Sequence, residues 1–165
     1  MYHTIPTLYK QWSLSVDIRP TGLVTGYSSI LRIGSGPNNS RYGDRMPAIF
    51  FEARTTRLQI ASGINSKTNY ISPYTDPIPM NKWTRVEVSQ LRQTDGSYLY
   101  TIRVAGKIHQ QTTNSDAREF SNMKVYTSDN YYVTADALLT NLKIDSLPDN
   151  YVFNGNFISI FSLTI

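Results

Sequence analysis

The chain contains no cysteine. That excludes a disulfide framework and any thiolate-bound zinc site. It does not fix a compartment, because large secreted β domains do without disulfides. Charged residues are sparse, 17% of 165, and three of them are glutamate. Glutamate is a good helix former, whereas the twelve tyrosines favour pleated strands. No apolar stripe of 3.6-residue period is sustained over ten residues, so no helix is expected. No run reaches the ~18 apolar residues of a membrane span. Residues 1–20 lack the apolar core of a secretory leader. Basic residues exceed acidic ones, 16 against 12, for a net charge of +4. The ten arginines are scattered from Arg19 to Arg118, whereas nucleic-acid binders gather charge into a run or stripe, so nucleic acid is not the expected partner.

What is present is alternation. With 40% hydrophobic residues, the length suffices for one domain with its own core. Residues 81–109 organise the rest. Thr84, Val86 and Val88 alternate with Arg85, Glu87 and Ser89; Tyr98, Tyr100, Ile102 and Val104 alternate with Leu99, Thr101 and Arg103. A period of two marks strands with one buried and one wet face. Asp95-Gly96 between the runs supplies a tight hairpin turn, and Ala105-Gly106-Lys107 offers a second reversal. A sheet with one apolar face needs a second layer to cover it.

Residues 11–19 form the cleanest strand, with Trp12, Leu14, Val16 and Ile18 on one face. Further strands are expected at 28–33, 48–53, 57–60, 123–127 and 137–144. Residues 34–44 are rich in turn formers and carry the sequon Asn38-Asn39-Ser40. Residues 63–79 read as a long loop whose three prolines exclude a central strand. Residues 128–136 (SDNYYVTAD) read as another exposed loop. About nine or ten strands with turn chemistry between them indicate a two-sheet sandwich or jelly roll. Residues 1–150 are expected to form this domain. Residues 151–165 are a tail, apolar and free of charge and proline over 157–165. It is open as a last strand, a truncated membrane segment or sequence foreign to the domain, and ending the chain after Asn150 is expected to leave the fold intact.

The order of features has a family likeness. A strand with Trp12 leads to SSILRIG, AIFFEA and LQIASG; then come IPMNKWTRVEVSQ, a DG turn, YLYTIRVAGK and ADALLTNLKI. Over residues 9–145 this resembles the concanavalin A-like lectin/glucanase superfamily, nearest to its laminin G-like and pentraxin-like modules. The resemblance implies an all-β, antiparallel jelly-roll sandwich whose first and last strands are adjacent. It also implies an extracellular or cell-surface module that binds glycans or proteins through its rim loops or concave sheet. It places Trp83 inside the sandwich, beside the Trp12 already assigned there by alternation. For the modules that hold a calcium ion at the rim, it maps one ligand onto Asp44 and another onto the loop near Gly63, Ile64 and Asn65. Asp129, Asn130 and Asp136 form a weaker second cluster of hard oxygen donors.

Glycoside hydrolysis needs two carboxyl groups at a fixed separation. Glu52, Glu87 and Glu119 lie far apart, and no strand carries two alternating acids, so no enzyme is expected. Glu52 and Glu87 remain able to meet across a sheet. His3 and His109 have no sequence-adjacent acid to orient them. Sugar recognition uses aromatic faces with planar polar groups beside them. The loops supply that mixture in Tyr42 and Arg45, in Asn69, Tyr70 and Tyr74, and in Asn130, Tyr131 and Tyr132. A protein partner would use the same residues. The sequence reading is therefore a non-catalytic module binding a glycan at its rim, with a protein-interaction or adhesion module as the alternative; nothing in it sets the oligomeric state.

Overall fold

The alternation of β2 (Gln11–Pro20) is realised in full: Trp12, Leu14, Val16 and Ile18 are at most 1% exposed. A computed structural model describes residues 3–36, 41–128, 131–151 and 161–164. Among these it contains strands and no helix. The strands are β1 (His3–Leu8), β2, β3 (Ser28–Gly34), β4 (Ala48–Phe51), β5 (Leu58–Ile64), β6 (Lys67–Ile71), β7 (Thr84–Arg92), β8 (Tyr98–Val104), β9 (Lys107–Asn114), β10 (Phe120–Tyr126), β11 (Val133–Thr134), β12 (Ala137–Leu147) and β13 (Phe161–Thr164). One sheet has seven strands, β1-β10-β3-β4-β5-β6 with β11 alongside β3. The other has six, β13-β12-β2-β7-β8-β9. Every pairing is antiparallel except β11 with β3.

The central hairpin forms as its sequence requires. Val88 faces Ile102 and Gln90 faces Tyr100 across β7 and β8. Gly96 takes φ +85° at the turn, and the Asp95 carboxylate accepts from Ser97 N at 2.9 Å. The core lies between the sheets, and a buried polar chain stitches them at one end. Ser62 Oγ of β5 and the Tyr100 hydroxyl of β8 are 2.7 Å apart. Gln90 Nε2 donates to the Lys10 carbonyl, and its Oε1 accepts from Asn114 Nδ2 at 2.6 Å. Asn114 Oδ1 in turn accepts from Asn65 N at 2.9 Å, on the turn between β5 and β6. Each buried polar group that finds a partner avoids a desolvation cost of about 1–3 kcal/mol.

β1, β6 and Trp83 differ from expectation, β11 lies inside the expected 128–136 loop, and the tail takes one of the readings left open for it. β1 runs through Pro6, which an edge strand tolerates because no neighbour needs its missing N–H. β6 lies inside the expected 63–79 loop, again at an edge; the three prolines follow it. The tail contributes β13, which pairs Ile144 with Leu163 on the free edge of β12, while residues 152–160 lie outside the described residues. Trp83 is not in the core: it is 48% exposed. β7 buries Thr84, Val86, Val88 and Gln90, so strand parity sends Trp83 to the side of Arg85 and Glu87. The interior position implied by the family likeness gives way to that parity.

Candidate functional site

β4 is apolar on both faces, and this builds the site. Ile49 and Phe51 enter the core; Ala48 and Phe50 face outward. Registered beside them, Gln59 stands opposite Phe50 and Ala61 opposite Ala48 on β5. Ala61 in turn stands opposite Ile71 on β6. Two tyrosines from loops cover this outer face. Tyr27, just before β3, has its ring 5.4 Å from Phe50. Tyr132, just before β11, lies 5.2 Å from Phe50 edge-on and 5.3 Å from Tyr27. Tilted and edge-on pairs at such separations are favourable because ring edges meet ring faces of opposite polarity.

Polar groups frame the rings. The Arg45 guanidinium sits 5.3 Å from the Phe50 centroid and 6.0 Å from that of Tyr132. It donates to Asn69 Oδ1 at 2.7 Å, which fixes both groups on the sheet. The Tyr27 hydroxyl donates to Gln59 Oε1. Burial, with Tyr74 and Tyr132 nearby, pushes the Tyr27 hydroxyl well above its ordinary range, so it stays a neutral donor at physiological pH. The result is a shallow depression of about 170 Å³ walled by Tyr27, Arg45, Phe50, Gln59, Asn69 and Tyr132. That is smaller than the ~300–1,000 Å³ of enclosed small-molecule sites. Phe50 and Arg45 are 1% and 4% exposed, so the aromatic surface open at this depression is that of Tyr27 and Tyr132.

Of the residues expected from sequence, Arg45, Asn69 and Tyr132 come together here. Tyr131 is 52% exposed next to Tyr132. Tyr74 borders Tyr27 and lies under the Arg57 guanidinium at 5.1 Å. Tyr70 points the other way, packing on the core and taking a hydrogen bond from Gln110 of β9. Tyr42 is elsewhere too: its ring stacks on Phe120 under the Arg118 guanidinium, and its hydroxyl donates to the Asp116 carbonyl at 3.0 Å. Burial and the nearby Asp116 push that hydroxyl up to about 12. Asn130 lies outside the described residues, as do Asp129 and the sequon. Sequence reasoning passed over Tyr27, Phe50 and Gln59; the signal was the unbroken apolar run of AIFF, which marks a strand covered on both faces.

The oxygens assigned to calcium have protein partners. Asp44 is 1% exposed; its carboxylate accepts from Ser35 Oγ at 2.9 Å and from Arg41 N at 3.2 Å. Arg32 Nη1 donates to the Asp44 carbonyl at 3.0 Å, bringing a positive charge beside it. Asn65 Oδ1 accepts from Ser115 N at 2.8 Å and from its hydroxyl at 3.2 Å. These hydrogen bonds orient the Asp44 carboxylate and the Asn65 amide within the fold, and the carboxylate is buried. Among the described residues no group of three or more His, Cys, Asp or Glu stands together. The acids are dispersed as well. Glu52 follows β4 of the seven-stranded sheet and pairs with Arg57 at 3.5 Å, whereas Glu87 lies on β7 of the six-stranded sheet, so the two do not meet across one sheet.

No family model matches the chain, and no curated protein matches it. Solved structures do. A native heptameric SAP-like pentraxin from Limulus polyphemus superposes with a TM-score of 0.58 at 11% identity, over 86% of this chain and 66% of that one. The fold is the concanavalin A-like jelly roll. Sheep galectin-11 superposes at 0.53 with 11% identity, over 87% of this chain and 96% of the galectin. An endo-β-1,4-glucuronan lyase from the fungus Trichoderma reesei superposes at 0.55 with 11% identity, over 88% of this chain and 74% of the lyase. At such identities the likeness establishes the concanavalin A-like architecture and leaves activity to the side chains.

Proposed function

We propose that this jelly roll is a non-catalytic glycan-binding module that lays a pyranose ring on the outer face of its seven-stranded sheet. The observation that carries the reading is the cluster of Tyr27, Phe50 and Tyr132 with the Arg45–Asn69 pair at its edge. Aromatic faces take up the C–H surface of a sugar, and the amide, guanidinium and phenol hydrogen-bond its hydroxyls. Among the described residues Glu52 and Glu87 belong to different sheets, which speaks against their serving as a glycosidase's acid pair. The partner is a saccharide chain met at a surface, which suits an extracellular module.

A glycan array followed by calorimetry on the hits tests this. Tyr132→Ala is expected to weaken binding at least tenfold while the protein stays folded. Arg45→Gln, which keeps a planar donor and removes the charge, is expected to weaken it less. If Tyr132→Ala lowers the melting temperature and leaves affinity unchanged, the rings serve to cover the sheet. If no glycan binds and a protein partner does, the module belongs to the interaction class.

A further inference from the structure

A second depression shares no lining residue with the first. It lies between the loop after β6 and the turn joining β8 to β9, and encloses about 640 Å³. That volume is within the ~300–1,000 Å³ range of small-ligand sites. Trp83 and Ile108, 48% and 50% exposed, line it together with Pro77 and Pro79. Two large apolar side chains left half in water in one groove are costly, and such patches mark surfaces that meet a ligand.

The walls are held by hydrogen bonds, so the groove exists before any ligand arrives. Thr56 Oγ1 donates to the Ile78 carbonyl at 2.6 Å, and Ile78 N donates to the Thr56 carbonyl at 3.2 Å. Asn81 N donates to the Pro20 carbonyl at 2.8 Å, just ahead of Trp83. On the facing side, Ala105 N donates to the Arg85 carbonyl at 2.8 Å, and His109 Nε2 lies 3.1 Å from the Pro73 carbonyl. A ligand meeting such walls forgoes the cost of ordering the loop.

The charge in the groove selects the ligand. Lys82 and Lys107 both line it and are exposed, and among the described residues neither is ion-paired. Arg85 also lines it but is held by Asp17 at 2.7 Å. Lys82 and Lys107 therefore share one lining with Trp83, and Asp76 is the acid in it. We infer that this groove is a binding site for an anionic saccharide, a sugar chain bearing carboxylate or sulfate groups. One ring lies on Trp83 against Ile108, and its anionic group meets Lys82 and Lys107. The inference stands apart from the site on the outer face and does not need it.

The chain holds two tryptophans and Trp12 is 0% exposed, so a ligand-induced change in indole emission reports Trp83. The probes are a hexasaccharide of glucuronic acid, a sulfated hexasaccharide and neutral cellohexaose. At least one anionic probe is expected to shift the emission and to bind at least tenfold more tightly than cellohexaose. Binding is expected to weaken several-fold from about 50 to about 500 mM salt. Trp83→Ala, and Lys82→Ser with Lys107→Ser, are expected to lose it by tenfold or more; Trp83→Phe is expected to retain most of it. Tyr132→Ala, which strips the other site, is expected to leave it intact, so the two sites fail separately. Absence of binding by both anionic probes, equal binding of cellohexaose, or affinity unchanged by Trp83→Ala overturns the assignment. Concentration-dependent dimerisation lost in Trp83→Ala also overturns it, in favour of a contact between two copies.

Discussion

Replacing each tryptophan with alanine separates a core ring from a surface ring. Trp12 is fully buried and meets Tyr100 edge-on at 6.3 Å. Its removal leaves a sealed void and is expected to cost ~3–5 kcal/mol. Trp83 keeps half its surface in water, and its groove is open to solvent. About half the transfer free energy is then at stake with no cavity to add, giving ~1–2 kcal/mol. With a urea slope of ~2 kcal/mol per molar, the midpoint is expected to fall by ~1.5–2.5 M for Trp12→Ala and by ~0.5–1 M for Trp83→Ala. Emission gives an independent check. Trp12→Phe leaves Trp83, whose emission is expected at long wavelength and open to quenching by acrylamide; Trp83→Phe leaves Trp12, expected to emit at short wavelength and resist quenching. Equal midpoint losses, or equal quenching in the two single-tryptophan proteins, would refute the outward placement of Trp83 and with it the anionic-saccharide groove.

Millimolar calcium is expected to leave the melting temperature unchanged, because the Asp44 carboxylate is buried and the Arg32 guanidinium lies on its carbonyl; a rise abolished by Asp44→Ala would restore the ion site. The Arg85 guanidinium, hydrogen-bonded to Asp17, holds that carboxyl below its ordinary value of 3.8, with Asn141 assisting. A depressed folded value means the stabilisation is present above pH ~4 and lost as pH falls through the folded value, so Asp17→Asn is expected to lower stability at neutral pH and to converge with the native chain in acid. The pair is partly exposed, so the neutral-pH loss is expected to be at most ~1 kcal/mol in denaturant titrations, and a loss that persists undiminished in acid would contradict it. Ending the chain after Tyr151 bares the edge of β12 that β13 covers; circular dichroism is expected to show an intact sandwich and sedimentation an increase in self-association, whereas an unfolded product would make β13 a required strand. Incubation with β-glucans is expected to release no reducing sugar, and release abolished by both Glu52→Gln and Glu87→Gln would reverse the non-catalytic reading.

Sequence by itself determined the parts of this protein that repeat with period two. The alternations of β2, β7 and β8, the Asp95-Gly96 turn and the absence of a helical stripe set two antiparallel layers, because a strand with one apolar face has few ways to bury it. The position of Trp83 was not so determined: the family likeness put it inside, whereas it lies one residue before β7 and is half exposed. Edge strands were less legible, since β1 and β6 have neighbours on one side alone and tolerate Pro6 and a mixed burial pattern. The two candidate sites were decided by tertiary structure. Tyr27, Phe50 and Tyr132 come from three separate segments, and Lys82-Trp83 and Lys107-Ile108 come from two, before β7 and on β9. Tyrosines of similar sequence character part company for the same reason: Tyr70, on the edge strand β6, packs against the core, and Tyr132, in a loop, lies on the outer face. Which face a loop residue meets depends on where the chain returns, and that is fixed by the pairing of strands far apart in sequence.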